Sequence, residues 1–353
     1  EIAELEKCLG DYVGVSHALG CASGTDALLM ALMAYEVGPG DAVFTTPFSF
    51  FATAEVISLL GATPVFVDID PHTFNLDPAL LEETITDVTQ DTRTHPVYRS
   101  LAGDEVLVPK AIIAVDLFGM PADYPAISAI AQKNGLVVIE DAAQSFGAEQ
   151  EGRKACSLAD IACTSFYPAK PLGCYGDGGM CFTNDEQLAA ILRSLHIHGM
   201  GAHQYDNIRV GINGRLDTLQ AAVLLSKFAI FPEEVALRND VANRYADLMG
   251  GIANLQLPKV PEGVRSAWAQ YSLLAESQAH RESLRSRLSR EDIPTAVYYP
   301  KPLHLQEAFA PLGYCEGDFP VCEACAQRIF SLPMHPYLQK QDQEQIAKVL
   351  SAI

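Results

Sequence analysis

Short apolar runs alternate along most of the chain with longer segments in which apolar residues recur at helical spacing. Residues 111–115 and 136–139 are the clearest apolar runs, and each has the length of a buried strand. Segments 124–134 and 186–195 carry the spacing that is typical of helices. This alternation predicts an α/β architecture, in which helices cover a sheet.

The same pattern predicts the order of the elements. The expected strands are 43–46, 64–67, 111–115, 136–139, 161–165 and 179–183, and the expected helices are 1–9, 27–35, 53–60, 124–134, 186–195, 217–227 and 232–249. Because the first helix has no N-cap residue before it, we expect that the natural N-terminus is truncated here. The polar stretch 84–108 is expected to be an irregular, exposed insertion.

A stretch rich in Pro and Gly, residues 252–264, predicts a crossing between two domains. We expect residues 1–235 to form a large domain. Residues 236–353 are then a linking helix and a smaller C-terminal domain of mixed α and β structure, with two strands and two helices after the crossing.

Composition and charge restrict the possible partners. The chain has 353 residues and a formal net charge of −20, from 24 basic and 44 acidic residues. Binding a nucleic-acid backbone needs clustered Lys and Arg, so we expect no nucleic-acid partner, whereas a nucleotide-linked small molecule needs only a local patch. No apolar run reaches the roughly 18 residues of a membrane span, so no membrane association is expected.

The nine cysteines do not predict a disulfide framework, because they are scattered and odd in number. The cytoplasm is the expected compartment. Cys322 and Cys325 form a C-x-x-C pair with Cys315 nearby, a pattern that could bind zinc. Since no second pair has the right spacing and residues 321–330 look helical, we expect no metal.

An acidic residue follows a buried, β-branched strand at Val137-Val138-Ile139-Glu140-Asp141. In α/β sheets, ligands bind at the carboxyl ends of strands, where Asp141 would lie. A carboxylate there could keep the ring nitrogen of pyridoxal phosphate protonated and so make the ring an electron sink. The alternative is a helix N-cap aspartate.

Lys170 lies 29 residues after Asp141, just past the next predicted strand. Partial burial lowers the pKa of a lysine and frees its amine to form an imine. Ser165, at the end of that strand, could bind a cofactor phosphate. The alternative is a solvated loop lysine. The glycine-rich stretch 173–179 resembles a dinucleotide-binding loop, but a strand follows it and not the required helix.

Two further segments fit the same cofactor. Ser23-Gly24-Thr25-Asp26 opens a helix, whose free N–H groups suit a phosphate, although a plain capping box explains the same residues. Phe48, Phe50 and Phe51 form an aromatic cluster near a strand end. One of these rings could stack on a pyridine, and core packing accounts for at least two of them.

Taken together and in this order, the four features resemble the sugar aminotransferases of the DegT/DnrJ/EryC1/StrS family over essentially the whole chain. The resemblance implies the pyridoxal-phosphate-dependent transferase fold of type I, with a mixed, mostly parallel seven-stranded sheet. It further implies Lys170 as the Schiff-base lysine and Asp141 as the partner of the ring nitrogen. The remaining cofactor-binding residues that it implies are Gly24, Thr25, Phe50, Gln144 and Ser165.

Residues 211–217 match the G-x-N-x-R-x-D motif of this family. The motif implies that Asn213 reaches the cofactor phosphate of a neighbouring subunit, so that a homodimer shares two active sites. The resemblance is strongest to a subgroup that aminates the 3-keto form of a UDP-linked N-acetylated hexuronic acid, with L-glutamate as donor and pyridoxamine phosphate as the intermediate form. The substrate-binding residues expected on this basis are Arg215, Tyr298, Tyr299 and His304.

Other functions stay open at this point. A C4 aminotransferase of a neutral 4-keto-6-deoxy sugar nucleotide is the alternative within the family. Related sugar dehydratases carry His in place of the lysine, which Lys170 argues against. A cofactor-binding regulatory protein without catalysis is the alternative from a different class. A salt bridge at the subunit interface, for which Asp217 is a candidate partner, is an alternative role for Arg215.

Overall fold

The computed structural model describes residues 1–101 and 105–351 of the chain. The strands are β1 (His17–Cys21), β2 (Asp41–Thr45), β3 (Thr63–Phe66), β4 (Val108–Val115), β5 (Val137–Asp141), β6 (Glu149–Gln150), β7 (Arg153–Lys154), β8 (Ile161–Ser165), β9 (Gly179–Thr183), β10 (Leu255–Gln256), β11 (Val264–Arg265), β12 (Tyr271–Ala275) and β13 (Ile329–Leu332). The helices are α1 (Ile2–Val13), α2 (Gly24–Ala34), α3 (Ala52–Leu59), α4 (Pro78–Gln90), α5 (Tyr124–Asn134), α6 (Glu186–Leu195), α7 (Thr218–Phe228), α8 (Phe231–Met249), α9 (Gln278–Arg290), α10 (Pro320–Arg328) and α11 (Lys340–Ser351).

Seven strands form one sheet in the order β1-β9-β8-β5-β4-β2-β3. Strand β9 runs antiparallel to both of its neighbours, and the other pairs are parallel. Alternate residues of a strand point to opposite faces, so Ile112 and Ala114 pack into one core cluster, and Ala111 and Ile113 into another. Helices cover both faces, and the predicted mixed, mostly parallel α/β sheet is confirmed.

Local sequence signals explain where the helices begin and end. In α5, Asp123 caps the start by accepting the N–H of Ala126 at 3.1 Å, and Pro125 stands in the first turn, where its missing N–H costs nothing. Gly135 ends the helix with a φ of 66°, a left-handed conformation that glycine adopts at little cost.

The long helix α8 changes its packing partner along its length. Phe231 and Val235 pack with the cluster of the large sheet, whereas Val241 and Tyr245 pack with β12, β13 and α11. The three-stranded sheet β10-β12-β13 lies in this second part of the chain. The predicted domain boundary at residue 235 stays a prediction, and the change of partner between Val235 and Val241 supports it.

The predicted irregular insertion at 84–108 is wrong in part. Helix α4 runs through residue 90 because Asp77 caps its start, and Leu81, Ile85 and Val88 form a buried helical face. Val97, in a short 3-10 helix after it, is also fully buried. Ala102–Asp104 lie outside the described residues.

The C-terminal region has more elements than the pattern predicted. A third helix, α11, follows α9 and α10, and the helix expected over 321–330 gives way to strand β13 at Ile329. The side chains of β13 are buried on both faces, so their alternation is hidden in the sequence. Among the described residues, the helices are too short or too polar to cross a membrane.

Candidate active site

Two of the predicted site residues lie at the carboxyl ends of neighbouring strands, β5 and β8. Asp141 closes β5 and Ser165 closes β8, and the two strands are hydrogen-bonded neighbours. This edge of a parallel sheet is where α/β proteins bind ligands.

Asp141 is a buried carboxylate, 5% exposed, that accepts two hydrogen bonds. The hydroxyl of Thr53 donates to it at 2.8 Å and the N–H of Ala143 at 3.2 Å. Burial raises the pKa of Asp141, and these hydrogen bonds together with the nearby charge of Lys170 act in the opposite direction. Residues 142–147 form turns and not a helix, so the helix N-cap alternative is excluded.

Lys170 lies on a turn after β8, where its N–H donates to the carbonyl of Tyr167 at 2.9 Å. Burial lowers the pKa of its ammonium group, and the charge of Asp141 acts against that effect. A lysine with a lowered pKa is a better nucleophile at neutral pH. The environment therefore differs from that of a solvated loop lysine.

A narrow cradle lies between the start of α2 and the end of β8. Ser23 caps α2 by accepting the N–H of Asp26 at 3.0 Å, which leaves the N–H groups of Gly24 and Thr25 as the first of the helix. A Cβ atom added to Gly24 would lie 2.7 Å from the Cβ of Ser165. Free N–H groups beside a hydroxyl fit a phosphate.

The amide of Gln144 joins this site to the C-terminal part of the chain. Its Oε1 accepts the N–H of Phe118 at 2.9 Å, and its Nε2 donates to the hydroxyl of Tyr299 at 3.3 Å. Burial raises the pKa of Tyr299, so that its hydroxyl keeps its proton. Tyr298 is more exposed than Tyr299.

The three rings of the predicted aromatic cluster differ in how deeply they are buried. Phe48 is fully buried, and Phe51 stacks on Phe309 with ring centroids 4.9 Å apart. Phe50, two residues before α3, is 57% exposed, so its ring is free to lie against a bound group.

Asn213 and Arg215 lie on an extended stretch beside the end of β1. The backbone between them is anchored, because the N–H of Ala22 donates to the carbonyl of Gly214 at 3.0 Å. The side chains of Asn213 and Arg215 are both exposed. Within residues 1–101 and 105–351, Arg215 forms no salt bridge, so the alternative pairing with Asp217 is not made in this chain.

The predicted substrate role of His304 stays a prediction, and this residue is more deeply buried than Tyr298 and Tyr299. Its ring is about 1% exposed, lies against Phe319, and its Nε2 is 3.0 Å from the carboxylate of Glu323. Burial lowers the pKa of this imidazole, although Glu323 opposes the effect. These contacts hold the imidazole against the start of α10.

Cys322 and Cys325 are buried on α10, and no group of three or more His, Cys, Asp or Glu in the described part of the chain could hold a metal ion.

Sequence reasoning missed two contributors to the site. Thr53, 88 residues before Asp141, donates to its carboxylate, and the N–H of Phe118 orients Gln144. The spacing of Ser49 and Thr53, one helical turn apart, was the only local signal for the first. The N–H of Phe118 belongs to the backbone, so the residue type gives no signal for it.

Comparison with known proteins agrees with this geometry. The model of the DegT/DnrJ/EryC1/StrS aminotransferase family matches residues 1–351. A UDP-2-acetamido-2-deoxy-3-oxo-D-glucuronate aminotransferase of Pseudomonas aeruginosa is 49% identical over 338 residues, which is 96% of this chain and 86% of that protein. A UDP-N-acetyl-3-dehydro-α-D-glucosamine 3-aminotransferase of Acidithiobacillus ferrooxidans is 41% identical over 349 residues, with coverages of 99% and 86%.

A pleiotropic regulatory protein of Geobacillus stearothermophilus is 42% identical over 352 residues, with coverages of 99% and 88%. Among solved structures, a DegT DnrJ EryC1 StrS aminotransferase from Brucella abortus superimposes with a TM-score of 0.91 at 50% identity, and the match covers 99% of this chain and 89% of that one.

The chain therefore belongs to the DegT/DnrJ/EryC1/StrS aminotransferase family. It is an aminotransferase that uses pyridoxal phosphate, and the predicted family, fold type, enzyme class and cofactor are confirmed. The buried Asp141, the lysine of lowered pKa and the cradle at Gly24 fit this cofactor.

Proposed function

We propose that this enzyme moves the amino group of L-glutamate to C3 of a UDP-linked 2-acetamido-2-deoxy-3-oxo-hexuronate. The observation that carries the proposal is Arg215, an exposed guanidinium without a carboxylate partner among the described residues, anchored next to the start of α2. A guanidinium grips a carboxylate with two parallel hydrogen bonds. The Pseudomonas relative, 49% identical, is named for this 3-oxo uronate.

The proposed chemistry assigns one task to each buried group. When bound, pyridoxal phosphate draws electrons from the carbon that carries the amino nitrogen. Lys170 would hold the cofactor covalently and, when its amine is free, would act as the general base for the proton on Cα of glutamate. Asp141 keeps the ring nitrogen protonated through its negative charge.

The other predicted residues bind and orient. Gly24, Thr25 and Ser165 hold the phosphate, Phe50 covers one face of the ring, and Gln144 lies against the ring or its oxygen substituent. The hydroxyls of Tyr298 and Tyr299 assist Arg215 at the sugar. The free N–H groups at the start of α2, the exposed ring of Phe50 and the geometry of the Gln144 amide support these roles.

We propose that a homodimer is the active unit. Large apolar side chains are exposed on the segments beside the site. A second copy of the chain would bury them in a dimer interface. They are Tyr167, Tyr175, Tyr205, Ile208, Val210 and Leu219. Asn213 lies on the same stretch as two of them, and in such a dimer it would reach the cofactor phosphate of the partner subunit.

The compartment proposed for the enzyme is the cytoplasm. All nine cysteines are free thiols, eight of them wholly or partly buried, which suits a reducing environment.

The substrate assignment is tested with Arg215→Lys and Arg215→Met. Losing a charge-assisted contact typically costs about 1.5–3 kcal/mol, or roughly ten- to two-hundredfold in kcat/KM. We expect this loss for the 3-oxo uronate and a much smaller one for the matching neutral 3-oxo sugar. Measuring the sugar half-reaction from the pyridoxamine form keeps glutamate binding out of the comparison.

Arg290→Met, on the exposed face of α9, is the matched control and should change neither rate. Equal losses on the two sugars would exclude the carboxylate role. They would favour a neutral 3-oxo sugar nucleotide, the substrate class in the name of the Acidithiobacillus relative. A panel that includes neutral 4-keto-6-deoxy sugars tests C4 amination in the same assay.

The name of the Geobacillus relative, a regulatory protein, favours the alternative without catalysis, and the match to the aminotransferase family argues against it. The measurement that separates catalysis from cofactor binding alone is the release of 2-oxoglutarate from glutamate, in more than one equivalent per enzyme subunit. A regulatory protein would bind the cofactor and give at most one equivalent.

A further inference from the structure

A fully buried carboxylate stands directly behind the proposed cofactor site. Asp116 follows β4, next to Asp141 at the end of β5, and its side chain is 0% exposed. Its Oδ1 accepts the N–H of Ala122 at 2.9 Å and the hydroxyl of Tyr124 at 2.8 Å, and its Oδ2 accepts the hydroxyl of Ser145 at 2.6 Å. None of the salt bridges in the described part of the chain involves it.

These hydrogen bonds close a loop, which we call the β4 corner, residues 116–122. The N–H of Asp116 donates to the carbonyl of Asp141 at 3.1 Å, and the N–H of Ala122 returns to the side chain of Asp116. Within the corner, Phe118 has a φ of 60°, a left-handed conformation that costs a bulky residue free energy. The closure by Asp116 holds Phe118 in this conformation.

The conformation of Phe118 matters because its N–H binds the side chain of Gln144. A backbone N–H can only donate, so the oxygen of the Gln144 amide must face it, at 2.9 Å. The NH₂ group then faces the other way, where it lies 3.3 Å from the hydroxyl of Tyr299. Turning the amide over would place two donors against each other at Phe118 and lose that bond, whereas the Tyr299 hydroxyl, which can also donate, would accept either orientation.

We propose that Asp116 is a positioning residue for transamination: through the β4 corner it orients the amide of Gln144, so that Gln144 presents its NH₂ group to the cofactor and to Tyr299. The inference rests on the proposed place of Gln144 at the cofactor. Ser145 connects the same carboxylate to the residue next to Gln144.

The hydrogen bonds of Asp116 indicate which substitution would preserve the β4 corner. Burial raises the pKa of Asp116 to about 7, and the neighbouring charge of Asp141 adds to the effect. Asparagine has the same shape, keeps one oxygen and carries one donor group, so it is a close mimic. In Asp116→Asn, the amide oxygen can accept from Ala122 and Tyr124, and its NH₂ can donate to the hydroxyl of Ser145.

The test is a double-mutant cycle in the intact holoenzyme, with Asp116→Ala, Gln144→Ala and the two combined. We expect each single variant to lower kcat by a similar factor, about ten- to a hundredfold, with the KM for glutamate nearly unchanged. Adding Asp116→Ala to Gln144→Ala should lower kcat by no more than about twofold further. Both single variants should shift the visible absorption maximum of the bound cofactor alike, and Asp116→Asn should restore it.

Asp68→Ala is the matched control, because Asp68 is another buried carboxylate, which accepts backbone N–H groups at the start of α10. It should leave the absorption maximum unchanged whatever it does to stability. If Asp116→Ala does not fold, Ser145→Ala removes one donor of the same carboxylate and enters the same cycle.

Losses that multiply in the double variant would overturn the inference alone, because Asp116 would then act independently of Gln144. A Gln144→Ala enzyme with normal kcat and absorption would instead overturn the proposed role of Gln144, and the inference with it.

Discussion

At the scale of single residues, the site contains two buried ionisable groups, the carboxylate of Asp141 and the amine of Lys170. Burial raises the pKa of Asp141 and lowers that of Lys170, so it opposes the charged form of both groups, and the charge of each group acts against this effect at the other. A protonated ring nitrogen would pair with Asp141, and covalent attachment would remove the charge of Lys170. Both residues are therefore suited to binding the cofactor.

The first prediction concerns Lys170. Borohydride should fix the cofactor to a single peptide that contains Lys170, and Lys170→Ala should still bind cofactor but lose at least roughly a hundred- to ten-thousandfold in kcat, because the general base is gone. Peptide mapping and steady-state rates measure the two effects. Lys133→Ala, an exposed lysine paired with Glu82, is the control and should be normal. Labelling of Lys301 instead would contradict the assignment.

The second prediction concerns Asp141. Asp141→Asn keeps the shape and can still accept the hydroxyl of Thr53, but it has no charge to hold a proton on the ring nitrogen. We expect the cofactor to remain bound and kcat to fall roughly a hundredfold or more. Asp123→Asn, at the cap of α5, is the control. Near-normal turnover would mean that another group protonates the ring.

At the scale of elements, the site needs close approach between the first turn of α2 and the end of β8. Glycine at position 24 permits this approach, because any Cβ there would meet Ser165. The cap on Ser23 and the strand pairing of β8 hold the two sides in place.

The third prediction uses this contact. In Gly24→Ala, the new Cβ forces the helix start away from Ser165, and we expect the affinity for pyridoxal phosphate to fall by about 1–3 kcal/mol, or roughly 5- to 150-fold. Equilibrium dialysis or fluorescence titration of the apoenzyme measures it. Gly38→Ala is the matched control, since a Cβ there meets nothing within 4 Å. Unchanged affinity in Gly24→Ala would show that the phosphate binds elsewhere.

At the scale of the whole molecule, the exposed apolar side chains beside the site and the exposed Asn213 point to the same proposal, a dimer with shared active sites. A twofold interface would place Asn213 of each subunit at the other's cofactor.

The fourth prediction tests this arrangement by mixing two inactive variants, Lys170→Ala and Asn213→Ala, under subunit exchange. In a mixed dimer, one of the two composite sites carries neither substitution. Random exchange should therefore restore about a quarter of the wild-type activity. Native mass spectrometry verifies the exchange. Exchange without recovery would show that Asn213 serves its own chain.

Much of this protein was predictable from its sequence because the signals are local. The alternation of apolar runs predicted the strands that carry Asp141 and Ser165, and the cap at Ser23 predicted the start of α2. Lys170 and Asp141 were predictable because they follow such strands. Helix α4 was missed because the polar residues around Leu81, Ile85 and Val88 obscured their helical spacing.

The tertiary structure alone decided how these residues are held. Thr53 and Asp141 are 88 residues apart, and Gln144 and Tyr299 are 155 apart, so no local pattern could pair them. It also decided that the ring of Phe50 is exposed while that of His304 is buried. The closure of the β4 corner by Asp116 depends on the folded chain as well. Residue type and spacing determined which chemical groups reach the edge of the sheet, because strand and helix signals act over a few residues. Their orientation and protonation depend on burial and on distant hydrogen-bond partners, which exist only once the chain has folded.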